Sequence, residues 1–270
     1  MSADLVTWLL TPISGRMDHE LPAWTAWHGR AMVAAWAILL PLGVLVARYF
    51  KVMPRQAWPD ELDNKTWWHW HRILQTAGVL SMTLGCSLAL GRAHDTSALA
   101  QCHRWFGWAV VASGWVQVLG GVWRGSKGGG STAIGLGASS EDAIRGDHYD
   151  MTARRYWFEY VHKVVGTAAI LLAVVVIGMG LKLADAPRWM AAVLTVWWLA
   201  LISVAGHLQR TGRCIDTYQA IWGPDPIHPG NRMRVIGWGV RRHSREGWKR
   251  RIGGTEYVQS IEDKQDRRQS

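Results

Sequence analysis

Apolar residues in this chain come in long unbroken runs rather than in alternation with polar ones. Five runs reach membrane-spanning length: residues 27–47, 68–90, 103–123, 158–181 and 189–206. A hydrocarbon core about 30 Å thick needs about 20 apolar helical residues. The first run is interrupted only by His28 and Arg30 near its start, the second is uncharged after Arg72, and the third is uncharged after Arg104. The fourth carries Glu159, His162 and Lys163 in its first two turns and no charge beyond them. Each charge lies near an end, where a long side chain can reach water. The pattern predicts an all-α membrane protein of five transmembrane helices, the first four forming an antiparallel four-helix bundle. An external N-terminal segment (1–26), a transmembrane domain (27–207) and a basic tail (208–270) follow as the expected divisions. The alternative, buried core helices of a soluble protein, would have to hide five such runs in one short chain.

Composition sharpens this picture. Hydrophobic residues make up 49% of the chain, and its 19 Trp against three Phe fall largely at the ends of the apolar runs, as suits the membrane–water interface. Thirty Lys and Arg against 20 Asp and Glu leave a net charge of +10, unevenly spread. Segments 48–66, 124–157 and 208–270 hold 22 of the basic residues, whereas 1–27, 92–102 and 182–188 hold four. That asymmetry predicts an external N-terminus and a cytoplasmic C-terminus; a bacterial source would make the membrane the inner one. The tail, with 13 basic and seven acidic residues, suits an anionic leaflet and contains no nucleic-acid-binding motif, so no nucleic acid is expected as a partner. Three cysteines without paired spacing argue against a disulfide framework or a thiolate zinc site. The N-terminus has no basic region ahead of a long apolar core and is not read as a cleavable signal peptide. Val6–Leu10 form a short interfacial helix or no element at all. The glycine- and serine-rich stretch from Gly125 to Ser140 reads as a linker, because no strand precedes it and no helix signal follows at once.

Histidine positions carry the candidate chemistry. His28, His71, His103 and His162 stand one on each of the first four runs, at alternating outer and inner ends. A lone histidine near a helix end is most often an interfacial or hydrogen-bonded residue, but four in this alternation make two pairs, His28 with His103 and His71 with His162. Each pair joins a diagonal of a four-helix bundle, where a planar macrocycle can take one imidazole on each face: a six-coordinate b-type haem, its iron held by His28 and His103 at the outer level and by His71 and His162 at the inner. A bare zinc or iron site would want more ligands per level. Gly107 and Gly166, each four residues after a histidine, would let a porphyrin edge approach the backbone, or equally serve helix packing. His69 competes with His71, but two positions on a helix point about 200° apart, and His71 is the deeper. His94, His148, His207, His228 and His243 are read as solvent or interface residues.

These residues resemble the transmembrane cytochrome b-561 family, in particular the five-span branch fused in eukaryotes to DOMON domains. The similarity lies in His28-Gly29 followed by Trp36, Pro41, Gly43, Arg48 and Tyr49; His71 with Gln75; His103 through Gln117 and Arg124; and His162 with Gly166, where Phe158-Glu159 replaces a Trp-Asn pair. It covers about residues 27–207. The resemblance implies two haem b groups and electron transfer from a cytoplasmic donor, typically ascorbate in eukaryotes, to an outer acceptor. Ferric iron, monodehydroascorbate or a partner redox protein would serve as that acceptor, directly or not, so that an oxidoreductase activity is left open. The chain departs from the fused branch in carrying no DOMON domain and adding the basic tail. Arg48, Lys51, Arg124 and Arg155 converge at the inner end and are the expected binding residues for an anionic small-molecule donor or quinol, Arg48 and Arg124 foremost because they match the family. The expected partners are the lipid membrane, that donor and an external redox protein, with a homodimer also allowed. A haem-free transporter or membrane anchor with functional intramembrane histidines is the competing reading.

Overall fold

The computed structural model describes residues 3–16, 20–92, 94–129 and 145–252, and the described chain is helical, with two isolated β-bridges and no strand. Its helices are α1 (Ala3–Leu10), α2 (Ala23–Tyr49), α3 (Thr66–Ala89), α4 (Ala98–Val122), α5 (Ala153–Leu183), α6 (Arg188–Arg210), α7 (Thr217–Trp222) and α8 (Arg245–Ile252). Four of them, α2, α4, α5 and α6, are long and apolar enough to cross a membrane. The hydrophobic pattern predicts five such helices, and the difference is α3. Its 24 residues suffice in length, but Arg72, Gln75, Thr76, Ser81, Thr83 and Ser87 dilute its apolar content. The hydroxyls are absorbed by main-chain carbonyls: Thr83 donates to Val79, Ser87 to Thr83, and Ser81 across to Ala31 of α2.

The helices begin earlier than the apolar runs, because capping residues lie upstream. Ser97 accepts from the Ala100 amide at the start of α4, and Thr152 accepts from the Arg155 amide at the start of α5. His103 and His162 therefore sit more than a full turn inside their helices. In α2 the backbone passes through a π-helical stretch, Ala34–Leu39, just before Pro41. Proline has no N–H to offer the carbonyl four residues back. Trp197 of α6 donates its indole N–H to that carbonyl, Ala37, at 2.7 Å, and Gln75 of α3 donates to the Leu40 carbonyl at 3.1 Å.

Helices α2 to α5 form a ring. α2 packs closely along α3 and α4 closely along α5, while α3 against α4 and α2 against α5 meet over shorter stretches. α2 and α4 are thus diagonal, as are α3 and α5. Ala35, Trp36, Ala37, Leu40, Val79, Met82, Val110, Val111, Ala169, Ala173 and Val176 fill the middle. Gly85 lets α3 approach α2: a Cβ there would lie 3.1 Å from that of Ala31. Large apolar side chains such as Leu80, Leu84, Leu171, Val196 and Ile202 face outward, as a lipid environment requires.

Two segments depart from their sequence reading. Residues 211–252, expected as a tail, fold against the bundle end that carries His71 and His162. Ile215, Ala220 and Trp248 bury themselves with Val52 and Trp58, and the Tyr218 hydroxyl donates to the Tyr149 carbonyl. Gly129, at φ +90°, packs so tightly under the Trp222 ring that a side chain would collide with it. The first residues of the expected glycine-rich linker are therefore part of a packed seam, and residues 130–140 lie outside the described residues. At the opposite end α1 packs on α6, the Ile13 amide donates to Ala186 and the Arg188 amide to Thr11.

Candidate functional site

The four histidines meet in two facing pairs. His28 of α2 and His103 of α4 have ring centroids 6.2 Å apart at 76° to one another. His71 of α3 and His162 of α5 are 6.4 Å apart at 71°. His69, two residues from His71, is exposed. Three of the four rings are tethered through Nδ1 to a main-chain carbonyl on the neighbouring helix: His28 to Gly85 at 2.8 Å, His71 to Gly43 at 3.0 Å, and His103 to Val176 at 3.1 Å. A carbonyl can only accept, so each of these Nδ1 atoms carries the proton and Nε2 keeps its lone pair. That is the tautomer an axial metal ligand needs, and the Nδ1–H bond to the carbonyl fixes the ring orientation and raises the basicity of Nε2.

The spacing agrees with that use. One metal ion bound by two Nε2 atoms at about 2 Å each holds the ring centroids about 6 Å apart. Each level offers only two protein ligands, and among the described residues no group of three or more His, Cys, Asp or Glu could hold a metal ion. A metal ion held at either level would need its remaining ligands from outside these residues. Gly107 opens on free space, and a Cβ at Gly166 would meet only the Gln117 amide at 3.7 Å, an ordinary contact. Neither glycine is consumed by tight helix packing. Sequence reasoning missed Gly180, where a Cβ would lie 3.1 Å from Cε1 of His103, and the carbonyl acceptors Gly85 and Val176.

The basic residues at the His71/His162 end divide into two groups. Arg48 donates to the carbonyl of Trp238 at 2.6 Å and to Gln209, and Lys51 is buried with Nζ 2.9 Å from the Ile215 carbonyl. Burial, helped by the charge of Lys163, pulls the Lys51 pKa down to about 8. Arg155 is buried and gives both Nε and Nη2 to Glu159, whose other oxygen takes Lys163 at 2.8 Å. These donors are spent on the protein itself. Arg124 differs: its guanidinium lies 4.2 Å from the Trp68 ring and has no hydrogen bond or ion pair among the described residues. Arg72, which the sequence reading treated only as a charge near a span end, is exposed and lies 6.0 Å from the same ring. Trp68 in turn is 6.1 Å from His71. Two uncommitted cations and an indole thus border one histidine pair. His148, read as a solvent or interface residue, is instead buried against Tyr218 and Trp222, with Nε2 3.8 Å from Glu159. The folded 211–252 segment covers it.

No family model and no solved structure matches the chain. Among curated proteins it is similar to the cytochrome b561, DM13 and DOMON domain-containing protein of Arabidopsis thaliana, 27% identical over 174 residues, which is 64% of this chain and 16% of that one. A cytochrome b561 and DOMON domain-containing protein of the same plant is 28% identical over 171 residues, 63% of this chain and 30% of that one. A Drosophila melanogaster protein named as a candidate ferric-chelate reductase 1 homolog is 26% identical over 185 residues, 67% of this chain and 24% of that one. The matched stretch is less than a third of the length of each of these relatives. Over roughly 60% of its length, the chain is a distant homologue of the cytochrome b561 and DOMON domain-containing proteins, in their cytochrome b561 region.

Proposed function

We propose that the chain conducts electrons across a membrane through two b-type haems, one held by His28 and His103 and the other by His71 and His162. The observation that carries this is the pair of facing imidazole couples, 6.2 and 6.4 Å between centroids, with three of the rings fixed in the ligand tautomer by main-chain carbonyls. Two ligands per level suit a macrocycle that supplies the remaining four. Each bound haem would supply a one-electron ferric/ferrous couple. The protein's part is to hold the imidazoles, exclude water and set the charge around each level. α3 is the fifth span in this reading, the Thr83 and Ser87 hydroxyls satisfied within the helix and that of Ser81 by the Ala31 carbonyl of α2.

The His71/His162 end is cytoplasmic, on the basic-residue asymmetry. Reducing equivalents arrive there, and Arg72 and Arg124 beside Trp68 receive an anionic reductant, because Arg48, Lys51 and Arg155 are already engaged by protein oxygens. Arginine's fork of donors suits a carboxylate or enolate. The acceptor meets the His28/His103 end, and ferric iron, named for the insect relative, or a separate redox protein fits that position.

The test is haem stoichiometry by pyridine haemochromogen on protein purified in detergent, with alanine at each histidine. Two haems per chain are expected. Substitution of His28 or His103 should remove one haem, and substitution of His71 or His162 the other, while His69→Ala retains both. A colourless protein, or His69→Ala behaving as His71→Ala should, refutes the proposal. Colourless protein would leave the transporter or anchor reading.

A further inference from the structure

Each of the four bundle helices carries one of the paired histidines. Three also carry, fourteen or fifteen residues further on, the atom that tethers a histidine of the adjacent helix. On α2 His28 is followed by Gly43, whose carbonyl holds His71; on α3 His71 is followed by Gly85, whose carbonyl holds His28. On α5 His162 is followed by Val176, whose carbonyl holds His103. Fourteen residues are close to four helical turns and about 21 Å of rise, so histidine and acceptor lie near one face at the two levels. The α2/α3 pair exchanges tethers in both directions, whereas α4/α5 does so in one. His162 is left with a buried Nδ1 that has no hydrogen-bond partner.

The missing acceptor should lie on α4, fourteen residues after His103. That residue is Gln117. Its Oε1 is also buried and without a partner. Gln117 and His162 line the same cleft of about 270 Å³ between α4 and α5, and the Gln117 amide lies over Gly166, one turn from His162. An orphan acceptor and an orphan donor at the level where the pattern calls for a bond are each costly alone. The terminal torsion of a glutamine is soft, so its amide can turn toward the ring.

We infer that Gln117 is a positioning residue for His162: its side-chain carbonyl accepts the Nδ1–H and completes the fourth tether of the two histidine pairs. The inference rests on the haem reading above. Accepting that hydrogen bond makes the imidazole a stronger electron donor through Nε2, which favours ferric over ferrous iron and lowers the midpoint potential of the His71/His162 haem. A main-chain carbonyl cannot be removed by substitution, but this tether can, which makes it the one adjustable acceptor in the set.

The experiment is a redox titration with low-temperature electron paramagnetic resonance on the purified full chain, comparing wild type, Gln117→Leu and Gln117→Glu. The haem that His71→Ala removes is taken as the His71/His162 haem. Gln117→Leu should raise its potential by about 59 mV, a tenfold shift in the ferric/ferrous preference, and change its low-spin signal. The other haem should keep both. Gln117→Glu retains an acceptor and should hold the potential at or below that of wild type. If both potentials and both signals are unmoved in Gln117→Leu, the Gln117 tether is refuted while the haem reading stands, and the main-chain carbonyl becomes the better acceptor. Should Gln117→Leu fail to load haem, a raised potential in Gln117→Glu refutes the tether and one at or below that of wild type supports it. Wild-type protein without haem refutes the functional proposal itself.

Discussion

Glu159 is the point on which the His71/His162 end turns electrostatically, and removing its charge gives a stability change that can be worked out in advance. One carboxylate oxygen accepts two bonds from Arg155, at 2.9 and 3.1 Å, and the other accepts Lys163 at 2.8 Å. The Glu159 side chain is 6% exposed, Arg155 11% and Lys163 30%. Glu159→Gln keeps the shape and removes the charge, leaving Arg155 close to Arg124 and His148 with no counter-charge. Breaking a buried ion pair by deleting one partner costs about 3–5 kcal/mol. Lys163 is partly solvated and keeps the Ile236 carbonyl, so the lower figure applies here. A loss of about 3 kcal/mol should lower the apparent melting temperature by about 6–12 °C for a protein of this size. The assay is size-exclusion recovery after heating, in one detergent at one heating rate, because unfolding of such a chain is not expected to reverse. Arg155→Met alone should destabilise too, and Arg155→Met with Glu159→Gln should cost less than the two singly added together. A melting temperature for Glu159→Gln within 2 °C of wild type, or strict additivity in that cycle, would refute the clamp.

Three further outcomes follow from the same geometry. His148 is held neutral, its pKa drawn to about 3, first by burial and then by the charge of Arg155; the unfolded chain protonates it below about 6.5, so its contribution is full above that pH and is lost as pH falls toward 3. Acidification from pH 7 to 5 should therefore cost about 2 kcal/mol, and His148→Phe should flatten the melting-temperature profile over that window; parallel profiles would contradict this. Gly180→Val should displace the His103 ring and abolish the His28/His103 haem while sparing the other, whereas Gly180→Ala, needing a shift of only a few tenths of an ångström, should retain both; retention of both haems in the valine variant would show that the ring is not packed as described. Arg72→Gln and Arg124→Gln should each slow haem reduction by an anionic reductant about tenfold, the equivalent of about 1.4 kcal/mol, with dithionite-reduced spectra unchanged; stopped-flow rates equal to wild type would remove both residues from the donor site.

The long helices were legible because the bilayer imposes a length of apolar sequence that few other environments require. The histidine pairing was legible because an antiparallel course turns four positions along the chain into two levels of one bundle. α3 was legible as a helix, but its place among the spans is blurred by hydroxyl and amide groups whose partners are carbonyls. The tethers of His28, His71 and His103 left no mark for the same reason: a backbone acceptor has no side-chain identity. His148 and residues 211–252 were misread on composition, since polarity predicts solvent and here Asp216, Gln219 and His148 are buried with partners or aromatic neighbours.

The basic residues that mark one side of the chain also build that side. Across the seam between bundle and folded C-terminal segment, Arg48 donates to the Trp238 carbonyl, Lys51 to Ile215, Lys163 to Ile236, and Arg213 back to Val52. Each is a cation spent on a main-chain carbonyl that has no strand or helix partner, and an unmet carbonyl in a buried seam would cost as much as a lost hydrogen bond. A count of Lys and Arg measures a preference for one side of a membrane, and it cannot tell which of those charges remain available to a ligand. Of the converging charges, Arg48 and Lys51 are taken by the seam and Arg155 by Glu159, whereas Arg72 and Arg124 lie beside Trp68. The folding of the C-terminal segment thus narrows which cations remain open to any anionic ligand at this end: Arg48 and Lys51 are taken by that segment's carbonyls, and Arg72 and Arg124 are not.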